Sequence, residues 1–244
     1  MKNQLSRRTV IISAAVIGAA AVVGSLVPGT ASAEPTGSPD SAEPTGGPDS
    51  AEPTGGPKKL PTSANGWTIE KEANHVSTVW TRPVAGTGLK VDIRIGDAEV
   101  ILLHVTRRFH YEVEKIQRVD LAGWREIGSL RKGLPESNLA SGTAVQIRPG
   151  ARAKGGLFPA QELVLRDMLA ECEGLVRWGG DDSKVDESLF YLDAGPDDER
   201  VRKFADKARA WHMMPGEGAG VQVDVMSSSR RGHADRLARI QRSA

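Results

Sequence analysis

Of 244 residues, 32 are Lys or Arg, 31 are Asp or Glu and one is Cys. Such a balance is not the footprint of a nucleic-acid-binding protein, which would be strongly basic. The single cysteine, Cys172, excludes an internal disulfide framework and any cysteine zinc cluster. It is expected in the core, on a helix, rather than as a reactive thiol.

Residues 1–33 read as a targeting segment. Lys2, Arg7 and Arg8 form a basic n-region, Val10 to Val27 is apolar and alanine-rich, and Ala31-Ser32-Ala33 is a small-residue cleavage site. The apolar run competes as a membrane anchor, but Gly18, Gly24, Pro28 and the cleavage site favour removal. Ser6-Arg7-Arg8-Thr9-Val10-Ile11 matches the twin-arginine export pattern. The alternative is a Sec signal that happens to carry two arginines. No cysteine follows the cleavage site, which argues against a lipoprotein. Residues 1–33 hold three basic and no acidic residues, so the remainder carries a formal charge of −2. The expected product is extracellular or cell-wall associated, with no stable membrane anchor after cleavage.

Residues 34–57 are an imperfect nine-residue repeat, EPTGSPDSA, EPTGGPDSA, EPTGGP. Nothing in it is more apolar than Ala or Pro, so it cannot bury enough surface to offset chain entropy. Residues 34–65 are predicted to be a disordered spacer, kept extended by Glu34, Asp40, Glu43, Asp49 and Glu52.

The folded domain is predicted over 66–211. Trp67-Thr68-Ile69 and Val76 to Trp80 look like short strands. Leu89 to Ile95 alternates apolar and polar, which predicts a half-buried strand. Gly96-Asp97 ends it, with Asp97 as a candidate helix cap. Ala98, Ile101, Leu102, Val105 and Phe109 then fall at helical spacing, though the β-branched Val100-Ile101 makes a strand the competing reading. His110 alternates with apolar neighbours and reads as structural. Thr143 to Arg148 is predicted as a strand closed by Pro149-Gly150. Pro159 suits a first helical residue, Leu165, Met168, Leu169 and Cys172 form that helix's stripe, and Gly174 ends it. Asp197 can cap a last helix that buries Val201, Phe204, Ala205, Ala208 and Trp211. Residues 212–244 are expected to be a mostly disordered tail with His212 and His233 in solvent, apart from a short helix at Ala234 to Ile240.

Four stretches resemble one known family. Ser137-Asn138-Leu139-Ala140-Ser141-Gly142-Thr143-Ala144-Val145-Gln146-Ile147 resembles the S-N-H-A-S-G-T-A-I-D-L segment of zinc D-alanyl-D-alanine carboxypeptidases and related endopeptidases, in the Hedgehog/DD-peptidase superfamily. Phe109-His110-Tyr111-Glu112-Val113 is similar to that family's F-H-Y-E-V. Leu175 to Asp181 is similar to its V-V-R-W-G-G-D. Asp186 to Leu192 lines up with its D-E-M-H-F-E-I. The motifs keep order and spacing over about residues 66–211. The resemblance implies an α+β fold of the Hedgehog/DD-peptidase type, a mainly antiparallel sheet packed by helices near 97–109, 160–173 and 197–211.

In that family two histidines and an aspartate hold zinc, whose bound water is activated while a glutamate moves the proton. Mapped here, the ligand positions hold Leu139, Gln146 and Leu189, and Glu187 keeps the glutamate. Leucine has no lone pair, and one neutral amide oxygen is far from a catalytic donor set. Zinc is therefore expected to be absent. The cleft is expected between Leu139, Gln146, Glu187 and Leu189, with Ser137 and Ser141 beside it. The tyrosine-arginine pair that grips a terminal carboxylate in the family is not evident. Arg125 or Arg131 is the substitute to look for. Three readings follow. The first is a pseudoenzyme that binds a peptidoglycan stem peptide or a wall protein. The second is a metallopeptidase with other ligands, such as His110 with Glu112 or Glu187. The third is a structural accessory domain.

Overall fold

The computed structural model describes residues 60–214, 216–218 and 221–243. The targeting segment and the repeat, up to residue 59, lie outside the described residues. Within them the fold is α+β, with two antiparallel sheets and four α-helices.

The first sheet is a hairpin of β1 (Val79–Val84) and β2 (Leu89–Arg94), in register from Val79↔Arg94 to Val84↔Leu89. In β2 the alternation turns Leu89, Val91 and Ile93 inward. Gly96, at φ +98°, occupies the cap position before α1 (Asp97–Arg108). Asp97 is thus the first helical residue rather than the cap. Ala98, Ile101, Leu102 and Val105 form the buried face. The helix then widens into one π-turn over Phe109–Val113, where Glu114 N donates to Phe109 O at 2.9 Å. This turn buries His110, whose Nδ1 accepts from Ile116 N.

The second sheet has the order β3-β4-β6-β5, antiparallel throughout. Its strands are β3 (Leu121–Ala122), β4 (Ala144–Ile147), β5 (Val176–Trp178) and β6 (Leu189–Leu192). β4 and β6 are buried at every position, so they show no two-residue alternation. α2 (Pro159–Glu171) opens on Pro159 and stops before Glu173 and Gly174, both in the left-handed region. Cys172 is fully buried, and burial pushes its thiol up to about 12. α3 (Glu199–Met213) is capped by Asp198, not Asp197, through Arg200 N at 2.9 Å. α1, α2, α3 and the second sheet share one apolar core.

Two expected boundaries are corrected. Leu60 to Asn65 belong to the domain, because short polar side chains there reach buried acceptors. Asn65 Nδ2 donates to Thr143 Oγ1 at 2.8 Å and to Leu192 O at 3.0 Å, and Asn65 N donates to Asn138 Oδ1. The C-terminal segment is also ordered further than expected, as α4 (Ser228–Ser243). Its apolar stripe is thin, only Ala234, Leu237 and Ala238. Polar anchors supply the rest: Arg230 pairs with Asp167 at 2.6–2.7 Å, Arg242 with Asp181 at 2.8 Å, and Gln241 Nε2 donates to Val176 O. A hydropathy reading has no means of registering such anchors.

Arg230 extends a charged network under α1 and α2. Arg108 meets Glu112, Asp167 and Glu171, and the His104 ring stands 3.3 Å from Glu171. Burial alone would raise the Glu171 carboxyl. His104 and Arg108 outweigh it and bring the group down from 4.5 to about 2. A depressed carboxylate stabilises the fold above its unfolded value and loses that contribution as pH falls through its folded value. Solvent screening of this partly exposed group leaves a contribution on the order of 1–2 kcal/mol, present above pH 4.5 and lost toward pH 2. Urea titrations across this window should show a flatter acid limb for Glu171→Gln than for the parent. Parallel limbs would reject the network as its source. Asn65→Ala removes the two side-chain donations and should cost about 2 kcal/mol in the same assay. A loss near zero would return residues 60–65 to the linker.

Candidate functional site

The site grows from the turn Ser137 to Thr143. Pro135 starts a short 3-10 turn that runs to Leu139, and the chain then reverses at Gly142. Gly142 has φ +69°, and a Cβ there would lie 2.6 Å from Val79 Cγ2 and 2.7 Å from Arg94 N. Only glycine fits both the conformation and the space. The carbonyls of the turn are all taken. Asn138 O accepts from Thr143 N, Ala140 O from Glu70 N and Trp124 Nε1, Ser141 O from Arg94, and Gly142 O from Arg94 N. The hydroxyls are equally engaged. Ser137 Oγ accepts from Ala64 N and donates to Leu134 O. Ser141 Oγ, fully buried, meets Ser63, Thr143 and Asn138 O at 2.8–3.0 Å. Ser137 and Ser141, expected beside the cleft, are fastenings of the fold.

The three positions that match the resembled family's ligands come together. Gln146 on β4 pairs across the sheet with Leu189 on β6. Leu139 and Leu189 share a small buried cluster with Ala144 and Tyr191. Leu139 is 0 %, Gln146 1 % and Leu189 2 % exposed, so this space is packed. Gln146 Nε2 is 3.3 Å from Ser188 Oγ and 3.4 Å from Asp186 Oδ2, while its Oε1 is buried without a partner. Two leucines and one amide oxygen do not fit a catalytic zinc, which takes three N, O or S donors from the protein. Among the described residues no three His, Cys, Asp or Glu side chains are grouped to hold a metal. His110 and Glu112 do not form such a group either: Glu112 is committed to Arg108.

Glu187 departs from its expected place. It precedes β6, and its two carboxylate oxygens accept from Gly155 N at 2.7 Å and Gly156 N at 2.8 Å. The carboxylate is thereby spent on holding the 151–158 loop. The expected cleft of Leu139, Gln146, Glu187 and Leu189 is not a single open space. The cleft beside the packed cluster has a volume of about 350 Å³ and is walled by segments 131–136 and 181–191. Leu189 opens onto it, whereas Leu139 and Gln146 lie beneath.

Apart from Arg131, the cleft's chemistry is carried by residues the sequence did not single out. Tyr191 Oη donates to Asp182 Oδ1 at 2.9 Å, and Arg177 Nε donates to the same oxygen at 3.0 Å. Burial pushes the Asp182 carboxyl up, and Tyr191 and Arg177 hold it back in part. Burial and the neighbouring Asp182 raise the Tyr191 hydroxyl. On the opposite wall Arg131 forks onto Glu136 at 2.7 and 2.8 Å, and keeps that carboxyl below its ordinary range. Arg131, one of the two substitutes sought for substrate grip, thus does line the cleft; Arg125 does not. The available signal for Tyr191 was its two-residue step from Leu189, which puts both on one strand face.

If Glu187 is a loop anchor, Glu187→Ala should speed amide exchange at Gly155 and Gly156 and cost about 1–2 kcal/mol of stability. Unchanged protection of these two amides in hydrogen-exchange measurements would remove the assignment.

Comparison of the chain with protein-family models, with curated proteins and with solved structures gives no match.

Proposed function

We propose that the chain is an exported, wall-associated pseudoenzyme of Hedgehog/DD-peptidase type, whose cleft binds a cell-wall peptide or a wall protein without cleaving it. One observation carries the reading. The positions that match the family's three zinc ligands, Leu139, Gln146 and Leu189, sit together at the sheet and are filled by side chains that pack rather than coordinate. A chance likeness of short motifs would give no reason for three separated positions to converge. The family's activity needs a metal-bound water for its glutamate to deprotonate. Here the matching glutamate, Glu187, is bonded to loop amides.

The open cleft supports binding. Its floor is partly apolar, through Leu189 and Leu134, and its walls carry both signs of charge in Arg131, Glu136, Arg177 and Asp182. Such a surface suits a short peptide that bears both amino and carboxylate groups. Orientation would come from the polar groups and desolvation from the floor.

Calorimetric titration tests the ancestry, and sedimentation with wall material tests the binding. The parent protein should give no zinc heat, whereas Leu139→His with Gln146→Asp and Leu189→His should bind about one equivalent of zinc. Retention on insoluble peptidoglycan should be saturable in the parent and reduced by Tyr191→Ala with Arg177→Ala. Stoichiometric zinc uptake by the parent would overturn the pseudoenzyme reading. No retention would overturn the wall-peptide version.

A further inference from the structure

The antiparallel pair α2 and α4 encloses a groove of about 360 Å³ that is separate from the cleft floor. Its base is small and apolar, made by Leu163 of α2 and by Ala234 and Ala238 of α4. Exposed apolar side chains stand next in sequence to lining residues at Pro159 and Val225: Phe158 is 75 % and Met226 60 % exposed. The rim carries four arginines, Arg166, Arg231, Arg239 and Arg242, against three acids, Glu162, Asp167 and Asp235. Two of the helix's arginines hold α4 in place, Arg230 on Asp167 and Arg242 on Asp181. Arg231 and Arg239 line the groove, are exposed, and have no ion-pair partner among the described residues. Asp235 stands four residues from each, at the spacing of a helical ion pair, and pairs with neither. The acid Glu162 is occupied by Arg166.

We infer that this groove takes an acidic amphipathic helix from a partner protein. The two arginines are eight residues apart, roughly 12 Å along the helix axis. Two carboxylates on one face of a partner helix, about two turns apart, match that span. An apolar side chain between them would rest on Leu163, Ala234 and Ala238. The recognition is that of a helix laid in a groove, with charge fixing register and burial supplying affinity. An arginine face that served solubility alone would need no apolar base between its charges, nor exposed apolar residues at its ends.

The test uses the whole protein and a fluorescein-labelled alanine-leucine helical peptide with glutamates eight residues apart around a central leucine. Anisotropy should show saturable binding. Affinity should fall about tenfold or more in Arg231→Glu with Arg239→Glu, for the glutamine version of the peptide, and on raising the salt. The double variant should keep the parent's thermal midpoint, because neither arginine is in an ion pair of the fold. A separate variant, Leu163→Gln, at a half-buried lining residue, should weaken the peptide with both arginines present. The inference fails if binding is not saturable, or if the glutamine peptide binds equally. It fails too if the double variant binds like the parent, or if inorganic polyphosphate competes as strongly at equal charge, which would mark a general anion surface.

Discussion

Buried polar groups in the turn Ser137 to Thr143 tie together three parts of the chain that are distant in sequence. Asn65 reaches Asn138, Thr143 and Leu192, Arg94 reaches Ser141 and Gly142, and Leu192 N donates to Thr143 O. The entry segment, the hairpin and the central strand β6 are thereby set in one register. A hydrogen bond contributes only about 1 kcal/mol when made, but leaving a buried donor or acceptor unmet costs more. The junction therefore holds its geometry as a whole. Asn138 Nδ2 is its one unpartnered side-chain donor.

That junction accounts for the mixed message of the motif that contains it. Ser137, Asn138, Ser141, Gly142 and Thr143 are the residues that match the peptidase-like frame, and each is committed to holding the fold. Leu139 and Gln146 are the departures, and they point instead to the packed cluster under the cleft. Frame and coordination are carried by different side chains of one short stretch. Residues at the positions that match the resembled family's ligands can therefore vary without disturbing the frame, and here two leucines add apolar burial where a metal site would need desolvated charge.

Much of this architecture was legible in the chain. The two-residue alternation of Leu89, Val91 and Ile93 and the helical spacing of Ala98, Ile101, Leu102 and Val105 mark β2 and α1 because each element buries a single face. The meeting of Leu139, Gln146 and Leu189 was expected only through the resemblance to the peptidase motifs, not from any pattern within the chain. Other features depend on contacts between distant residues. β4 and β6 are covered on both faces and show no alternation. The π-turn at Phe109–Val113 is one extra residue in a helix ladder. The docking of α4 rests on Arg230, Gln241 and Arg242, which no hydropathy pattern records. The direction of Glu187 is decided by the amides of a loop more than thirty residues upstream, and the Asp182, Tyr191 and Arg177 set by a cross-strand pairing.

The fully buried Cys172 closes α2 against the core, with its thiol held up to about 12. Only the thiolate attacks disulfides or alkylating reagents, so the folded protein is chemically silent at its single thiol. It has no thiol exposed for cross-linking to a second copy, and none to be mispaired in an oxidising compartment. Reactivity would return only on openings that carry the end of α2 into solvent. The rate at which a thiol dye labels this one atom thus counts those openings, a built-in clock for how often the core comes apart.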